Sequence, residues 1–169
     1  MERLPVFVSR PNDLSARQEA VWQELDDFLQ KRGIVARVIG STDHPNVAPL
    51  AFILEVMRHC QGAIILGIRQ TLVHEAVLKV ETPKEQHVKG VFLPTPWNHL
   101  EAGVALQLGL PLMIIREAGV AEEGIFDPRP TDRFIHAFDL SSADWITDER
   151  FLQPFNAWYA DVLRRAGSG

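Results

Sequence analysis

Short runs of consecutive apolar residues alternate along the chain with longer stretches in which apolar residues recur every three or four positions. These are the signatures of buried strands and of amphipathic helices. Leu4 to Ser9 (LPVFVS) predicts a first strand. Asn12, Asp13 and Ser15 offer caps for a helix from about Ser15 to Arg32, with Val21, Trp22, Leu25, Phe28 and Leu29 as its stripe and Gly33 at its end. Ile34 to Ile39 reads as a second strand and Ser41 to Asn46 as a polar loop. A second helix follows over about Val47 to Cys60, with Leu50, Ile53, Leu54 and Met57 on one face. Ala63 to Ile68 (AIILGI) is apolar throughout, as a parallel strand covered on both faces should be. Thr95 caps and Pro96 opens a third helix, which runs to about Leu108, stops at Gly109 and leads into a strand at Leu112 to Ile115. Phe134 to Leu140 fits a fifth strand. A last helix ends near Ala166 and carries Phe155, Trp158, Tyr159 and Val162, with Pro154 either kinking it or marking its start.

Strand and helix alternating in this way predict an α/β fold: a five-stranded parallel sheet in the order 2-1-3-4-5, helices on both faces, and the all-apolar Ala63 to Ile68 strand at its centre. One domain over residues 1–166 accounts for the length, and Gly167-Ser168-Gly169 reads as a tail or linker to a longer natural protein. In such a sheet ligands bind beyond the carboxyl ends of the strands. That places Ser9 to Asp13, Ser41 to Asp43, Arg69-Gln70, the start of the Thr95 helix and Arg116-Glu117 at the expected edge. Arg69 to Leu93 is too long for an ordinary strand-to-helix connection. Its Val- and Leu-rich arms, Leu72 to Val80 and Val88 to Leu93, predict a hairpin or an extra helix around a turn at Thr82-Pro83-Lys84. The segment is either an irregular insertion or a functional one that covers a side of the cleft and forms a self-association surface.

Composition narrows the function classes. With 17 Lys and Arg against 22 Asp and Glu the net charge is −5, which argues against nucleic acid as the main partner. The 46% apolar and 23% charged content is that of an ordinary globular domain. One cysteine, Cys60, rules out an internal disulfide and multi-cysteine zinc sites, and it falls where an inert core residue belongs. Neither a signal peptide nor a membrane span is present, so a soluble cytoplasmic domain is expected. The six His residues lack metal-ligand spacing and read as surface or loop positions. No G-x-G-x-x-G, Walker loop or G-x-S-x-G occurs.

One carboxylate breaks the pattern. In Thr95-Pro-Trp-Asn-His-Leu-Glu101-Ala-Gly-Val-Ala-Leu-Gln-Leu108, the residues Trp97, Leu100, Val104 and Leu108 share a narrow helical arc, with Glu101 in its middle. A helix that only had to pack would place Leu or Ala there, because a buried carboxylate costs several kcal/mol in principle without a partner or a cleft. Either Glu101 meets a buried Arg or the rim, or it serves a ligand. Ala102 and Gly103 are small enough to let the helix approach its neighbours or a ligand closely.

Trp97-x-x-x-Glu101 resembles the catalytic-helix motif of TIR (Toll/interleukin receptor) domains, in which that glutamate is the catalytic residue of the members that cleave NAD. Glu101-x-Gly103-x-Ala105 and Gly109-x-Pro111 before a strand are similar to the nucleoside 2-deoxyribosyltransferase family, where the corresponding Glu is the nucleophile. Val6-Phe7-Val8-Ser9 with Asp13 beyond looks like the opening strand and loop of TIR-like domains. The resemblance is loose over Pro5 to Ile115 and specific over Trp97 to Pro111. Asn98 stands where TIR domains often carry Cys, and Leu93-Pro94-Thr95 replaces the Asp-x-Gly-Thr that often precedes the transferase glutamate.

The resemblance implies a flavodoxin-like three-layer fold and an enzyme that cleaves the N-glycosidic bond of NAD or a related nucleotide in a bacterial defence or signalling system. NAD would be its substrate, with no cofactor or metal, and with self-association or a partner domain. Two alternatives stay open: a module that binds a nucleotide or a protein without turnover, and a nucleoside deoxyribosyltransferase-like enzyme. In the first reading Glu101 is catalytic. Ser9, Arg10, Asp13, Ser41, Arg69 and Arg116 are expected to bind substrate, the arginines as phosphate partners. Trp97 is an aromatic wall or a core residue.

Overall fold

The computed structural model describes residues 3–44, 48–131, 135–139, 142 and 144–168. In chain order the elements are β1 (Leu4–Ser9), α1 (Ala16–Gln30), β2 (Ile34–Arg37), α2 (Pro49–Arg58), β3 (Gly62–Gly67), β4 (Thr71–Leu78), β5 (Gln86–Leu93) and α3 (Pro96–Gln107). They continue with β6 (Leu112–Glu117), a 3-10 turn (Gly124–Phe126), α4 (Pro128–Thr131), β7 (Ile135–Phe138) and α5 (Glu149–Gly167). Five strands form one parallel sheet, and its order is β2-β1-β3-β6-β7 rather than 2-1-3-4-5. The physical reason is the 69–93 segment. It contributes two strands that pair with each other outside the sheet, so the sixth and seventh strands take the last two places. The expected ends at Val47, Phe134 and Leu140 lie outside the described residues. Asp148 caps α5, so Pro154 sits inside that helix instead of starting it, and the helix includes Gly167.

Alternation along the strands divides the core into two layers. Val6, Val8, Ile64, Leu66, Met113 and Ile115 pack under α1 and α5, against Leu25, Leu29, Phe151 and Phe155. Phe7, Ala63, Ile65, Leu112 and Ile114 face the other way, against Ile53 and Met57 of α2 and Ala102 and Ala105 of α3. The same period carries Ser9 to the α3 side. A capping box holds the start of α1: Ser15 Oγ accepts from the Gln18 backbone N–H (3.3 Å), and Gln18 Oε1 accepts from the Ser15 N–H (2.9 Å). Gln18 Nε2 then donates to the Arg69 carbonyl at 2.8 Å, tying α1 to the end of β3.

Two expected faces are corrected. In α3 the buried residues are Asn98, Glu101, Ala102 and Ala105, while Trp97 and Leu100 are 44% and 50% exposed. Ala102 and Ala105 are the apolar residues the helix turns to the sheet, Asn98 and Glu101 are buried beside them, and the bulky arc faces the flank. In α2 the inward positions are Ile53, Val56 and Met57, and Leu50 is exposed. His136, expected at a surface or in a loop, is buried on β7 beside Trp145 and Phe151, and burial lowers its pKa. The Cys60 thiol is buried and pushed up to about 12 by desolvation.

The 69–93 segment is an antiparallel hairpin in which Leu72 faces Phe92 and Leu78 faces Gln86. Its arms do not pack on the domain: Leu72, Val77, Leu78 and Val80 are between 39% and 60% exposed. Its base is anchored through the Phe92–Val120 bridge and the Arg69 guanidinium 4.4 Å from the Phe92 ring centre. Replacing residues 73–91 by Asn-Gly is therefore expected to leave the cooperative unfolding transition within about 1 kcal/mol of the parent. A denaturant melt checks this, and loss of cooperativity would contradict it.

Candidate active site

At the carboxyl edge of the sheet, the end of β1, the residue Ile39 beyond β2, and the amino-terminal halves of α2 and α3 enclose a cleft of about 250 Å³. It is lined by Arg10, Pro11, Asn12, Pro49, Ile53, Thr95, Trp97 and Glu101, among others. Pro96 follows the Thr95 cap, so α3 starts at the cleft and Glu101 sits in its second turn. Glu101 is 6% exposed yet lines this cleft, so it is not sealed in the core, and among the described residues no arginine forms an ion pair with it. Burial pushes its carboxyl up to about 7, and the hydroxyl of Ser9, donating toward it, opposes that rise. Asn98, one turn earlier on the same face, is fully buried, and its Nδ2 donates to Ser9 Oγ at 2.7 Å. Asn98, Ser9 and Glu101 thus form a continuous polar line in an otherwise apolar layer.

Arg10 leaves β1 on the α1 side, stacked 4.7 Å from the centre of the Trp22 ring, with Nη1 donating to the Pro11 carbonyl at 2.7 Å. Among the described residues its Nε has no hydrogen-bond partner and no carboxylate forms an ion pair with it. Desolvation lowers its pKa, although Glu19 and Asp26 act in the opposite sense. A half-buried guanidinium lining a cleft with unfilled donors suits an anionic ligand. Trp97 offers an exposed aromatic face at the mouth, so it is not a core residue.

Ser9, Arg10, Trp97 and Glu101 are brought together; the remaining four expected residues lie elsewhere. Arg69 is engaged with Glu117, by Nε to Oε1 at 3.2 Å and by its backbone N–H to Oε2 at 2.8 Å, and its Nη2 donates to the Ala118 carbonyl. Arg116 donates to the Val120 carbonyl and to Glu122. Both arginines fasten the loop after β6 instead of facing the cleft. Ser41 lines a separate groove with Thr42, Trp22 and Asp26, and Asp13 offers its carbonyl to Gln70. No residue of the 69–93 hairpin lines the cleft, so the segment does not cover it. Asn12 lies in the Ser9 to Asp13 stretch expected at this edge, whereas Asn98, Pro49 and Ile53 are not among the expected binding residues. The signal for Asn98 was its spacing of three from Glu101, which places both on one helical face.

No group of His, Cys, Asp or Glu arranged to hold a metal occurs among the described residues. No described helix is long and apolar enough to cross a membrane.

The parallel sheet, its two helical layers and a cleft at the carboxyl edge define an α/β fold of flavodoxin-like layout. No protein-family model matches the chain, and no curated protein matches it in sequence. Among solved structures it is similar to the Clostridium botulinum CMP N-glycosidase BcmB, with a TM-score of 0.50 and 13% identity, over 91% of this chain and 98% of that one. At that identity the likeness concerns the fold.

Proposed function

We propose that this protein cleaves the N-glycosidic bond of a nucleotide, with Glu101 as its catalytic residue. The observation that carries the reading is Glu101 itself: a buried carboxylate, kept at a cost in stability, opening into a cleft beside an unpaired guanidinium. The likeness to a CMP N-glycosidase over nearly the whole chain supports the bond type. The Trp97-x-x-x-Glu101 spacing supports NAD as the substrate class.

Hydrolysis needs a water oxygen to bond to C1′ while the bond from C1′ to the base nitrogen breaks and its electron pair leaves with the base. Positive charge builds on C1′ and the ring oxygen, where an ionised Glu101 stabilises it. With NAD the departing nitrogen is already cationic, so nicotinamide leaves neutral and takes no proton. The proton lost by water passes to solvent. Glu101 is the one carboxylate among the described lining residues, and one suffices for such a leaving group. A neutral base such as cytosine must receive a proton as it leaves, so it places a further demand on the site. Arg10 faces a nucleotide phosphate, and Trp97 flanks a ring.

Incubating the protein with NAD, CMP and deoxynucleosides while following free base by chromatography tests the reading. Nicotinamide release is expected from NAD, with kcat/KM rising as pH passes through about 7 and the carboxylate forms. Nucleotide binding with no base released from any of them would establish a binding module instead.

A further inference from the structure

The buried amide of Asn98 is the polar group next to Glu101 that the proposed reaction does not use. Asn98 Nδ2 lies 2.7 Å from Ser9 Oγ and 3.4 Å from the Ser9 carbonyl. The carbonyl only accepts, which fixes the amide nitrogen, and not its oxygen, on this side. The Ser9 oxygen therefore accepts from Asn98, and the serine proton is left to donate elsewhere. Glu101, three residues further along the same buried face of α3, is the group the Ser9 hydroxyl acts on, holding its carboxyl below where burial alone would put it. On the other side of the amide, Asn98 Oδ1 is buried with no hydrogen-bond partner among the described residues. A side chain selected for packing alone would not carry that unmet acceptor, since an apolar residue of similar size avoids the penalty.

We propose that Asn98 is a positioning residue: by occupying a lone pair of the Ser9 hydroxyl, it aims the serine proton at the Glu101 carboxylate and holds that carboxylate toward the cleft. Asn98 touches neither the cleft nor a ligand and acts only through Ser9. Its consequence for turnover rests on the reading of Glu101 as catalytic; its effect on the ionisation of Glu101 does not. Around Glu101, β1 supplies Ser9 and then Arg10, α2 supplies Pro49 and Ile53, and Ile39 follows β2. Arg10 is the charged neighbour among these, and it is left unchanged in every variant below.

The experiment is a carboxyl ¹³C NMR titration of Glu101, its signal assigned by its loss in Glu101→Gln. Ser9→Ala is expected to raise the midpoint by about one pH unit, because a hydrogen bond to the charged form is removed. Asn98→Ala is expected to raise it by a smaller amount in the parent and by nothing further in the Ser9→Ala background. Asn98→Leu keeps the size of Asn98 but neither donates nor accepts, so it too should raise the midpoint, and it serves if the alanine variant does not fold. A midpoint unmoved by both Asn98 variants in folded protein, or additive shifts in the double variant, would overturn the proposal. A loss of melting temperature with no change in the titration would make Asn98 merely structural. Where nicotinamide is released, the pH midpoint of kcat/KM should move with the titration while KM holds. Shifted titrations with no base release would sink the enzyme reading and leave this one standing.

Discussion

Glu101→Gln is expected to stabilise the protein by about 3 kcal/mol at pH 8 and to leave its stability unchanged at pH 4. Burial raises the carboxyl from 4.5 to about 7, so in the folded state the ionised form is held at a cost. The sign follows from proton counts. Between these two values the folded protein binds more protons than the unfolded chain, so stability falls as pH rises through the window. The cost is complete above about pH 7 and absent below 4.5, and the difference of about 2.5 units corresponds to about 3 kcal/mol. Glutamine keeps the shape without the ionisation, and so escapes it. Urea unfolding of both proteins at the two pH values measures the effect. A glutamine variant less stable at pH 8 would mean that the ionised Glu101 is a structural partner.

Gly67→Ala is expected to destabilise the fold by about 2–3 kcal/mol. Gly67 ends the central strand, buried, and a Cβ there would fall inside the edge of the Phe126 ring. Phe126 cannot swing aside: it is fully buried in the 3-10 turn, with the His99 ring 5.4 Å from its own. Overpacking of this kind costs roughly 1–3 kcal/mol, and the lack of a flexible side chain to yield puts this site at the upper end. The melting temperature should drop by roughly 5–10 °C. Gly67→Ala with Phe126→Leu should recover part of the loss. An unchanged melting temperature would show that the strand end has room the packing does not display.

Much of the fold was legible because the core strands obey simple rules. AIILGI is apolar on both faces because helices cover both faces, and its central place follows directly. Ser15 and Thr95 announced their helices by cap chemistry. The 69–93 segment was less accessible, because its Val- and Leu-rich arms suit a hairpin and an extra helix alike. As a hairpin it adds two strands to the count, and the last two places in the sheet go to β6 and β7. On α3 bulk does not mark burial: Ala102 and Ala105 are buried with Asn98 and Glu101, while Trp97 and Leu100 are exposed. Glu101 stood out as a charge on a helix that had to pack, but Asn98 did not, since its role depends on Ser9, 89 residues earlier. Arg69 and Arg116 lay at strand ends as expected. Their partners, the Glu117 carboxylate at the end of β6 and the Val120 carbonyl in the loop after it, are set by the three-dimensional arrangement.

The central claim is that the Glu101 carboxylate carries the cleavage, and the most direct measurement compares free base released from NAD by the parent and by Glu101→Gln at pH 8, both at concentrations where they are shown to be folded. Nicotinamide accumulating with the parent and falling by at least about a hundredfold in the variant, with nucleotide binding retained, is the predicted result. Equal release by the two proteins would contradict it.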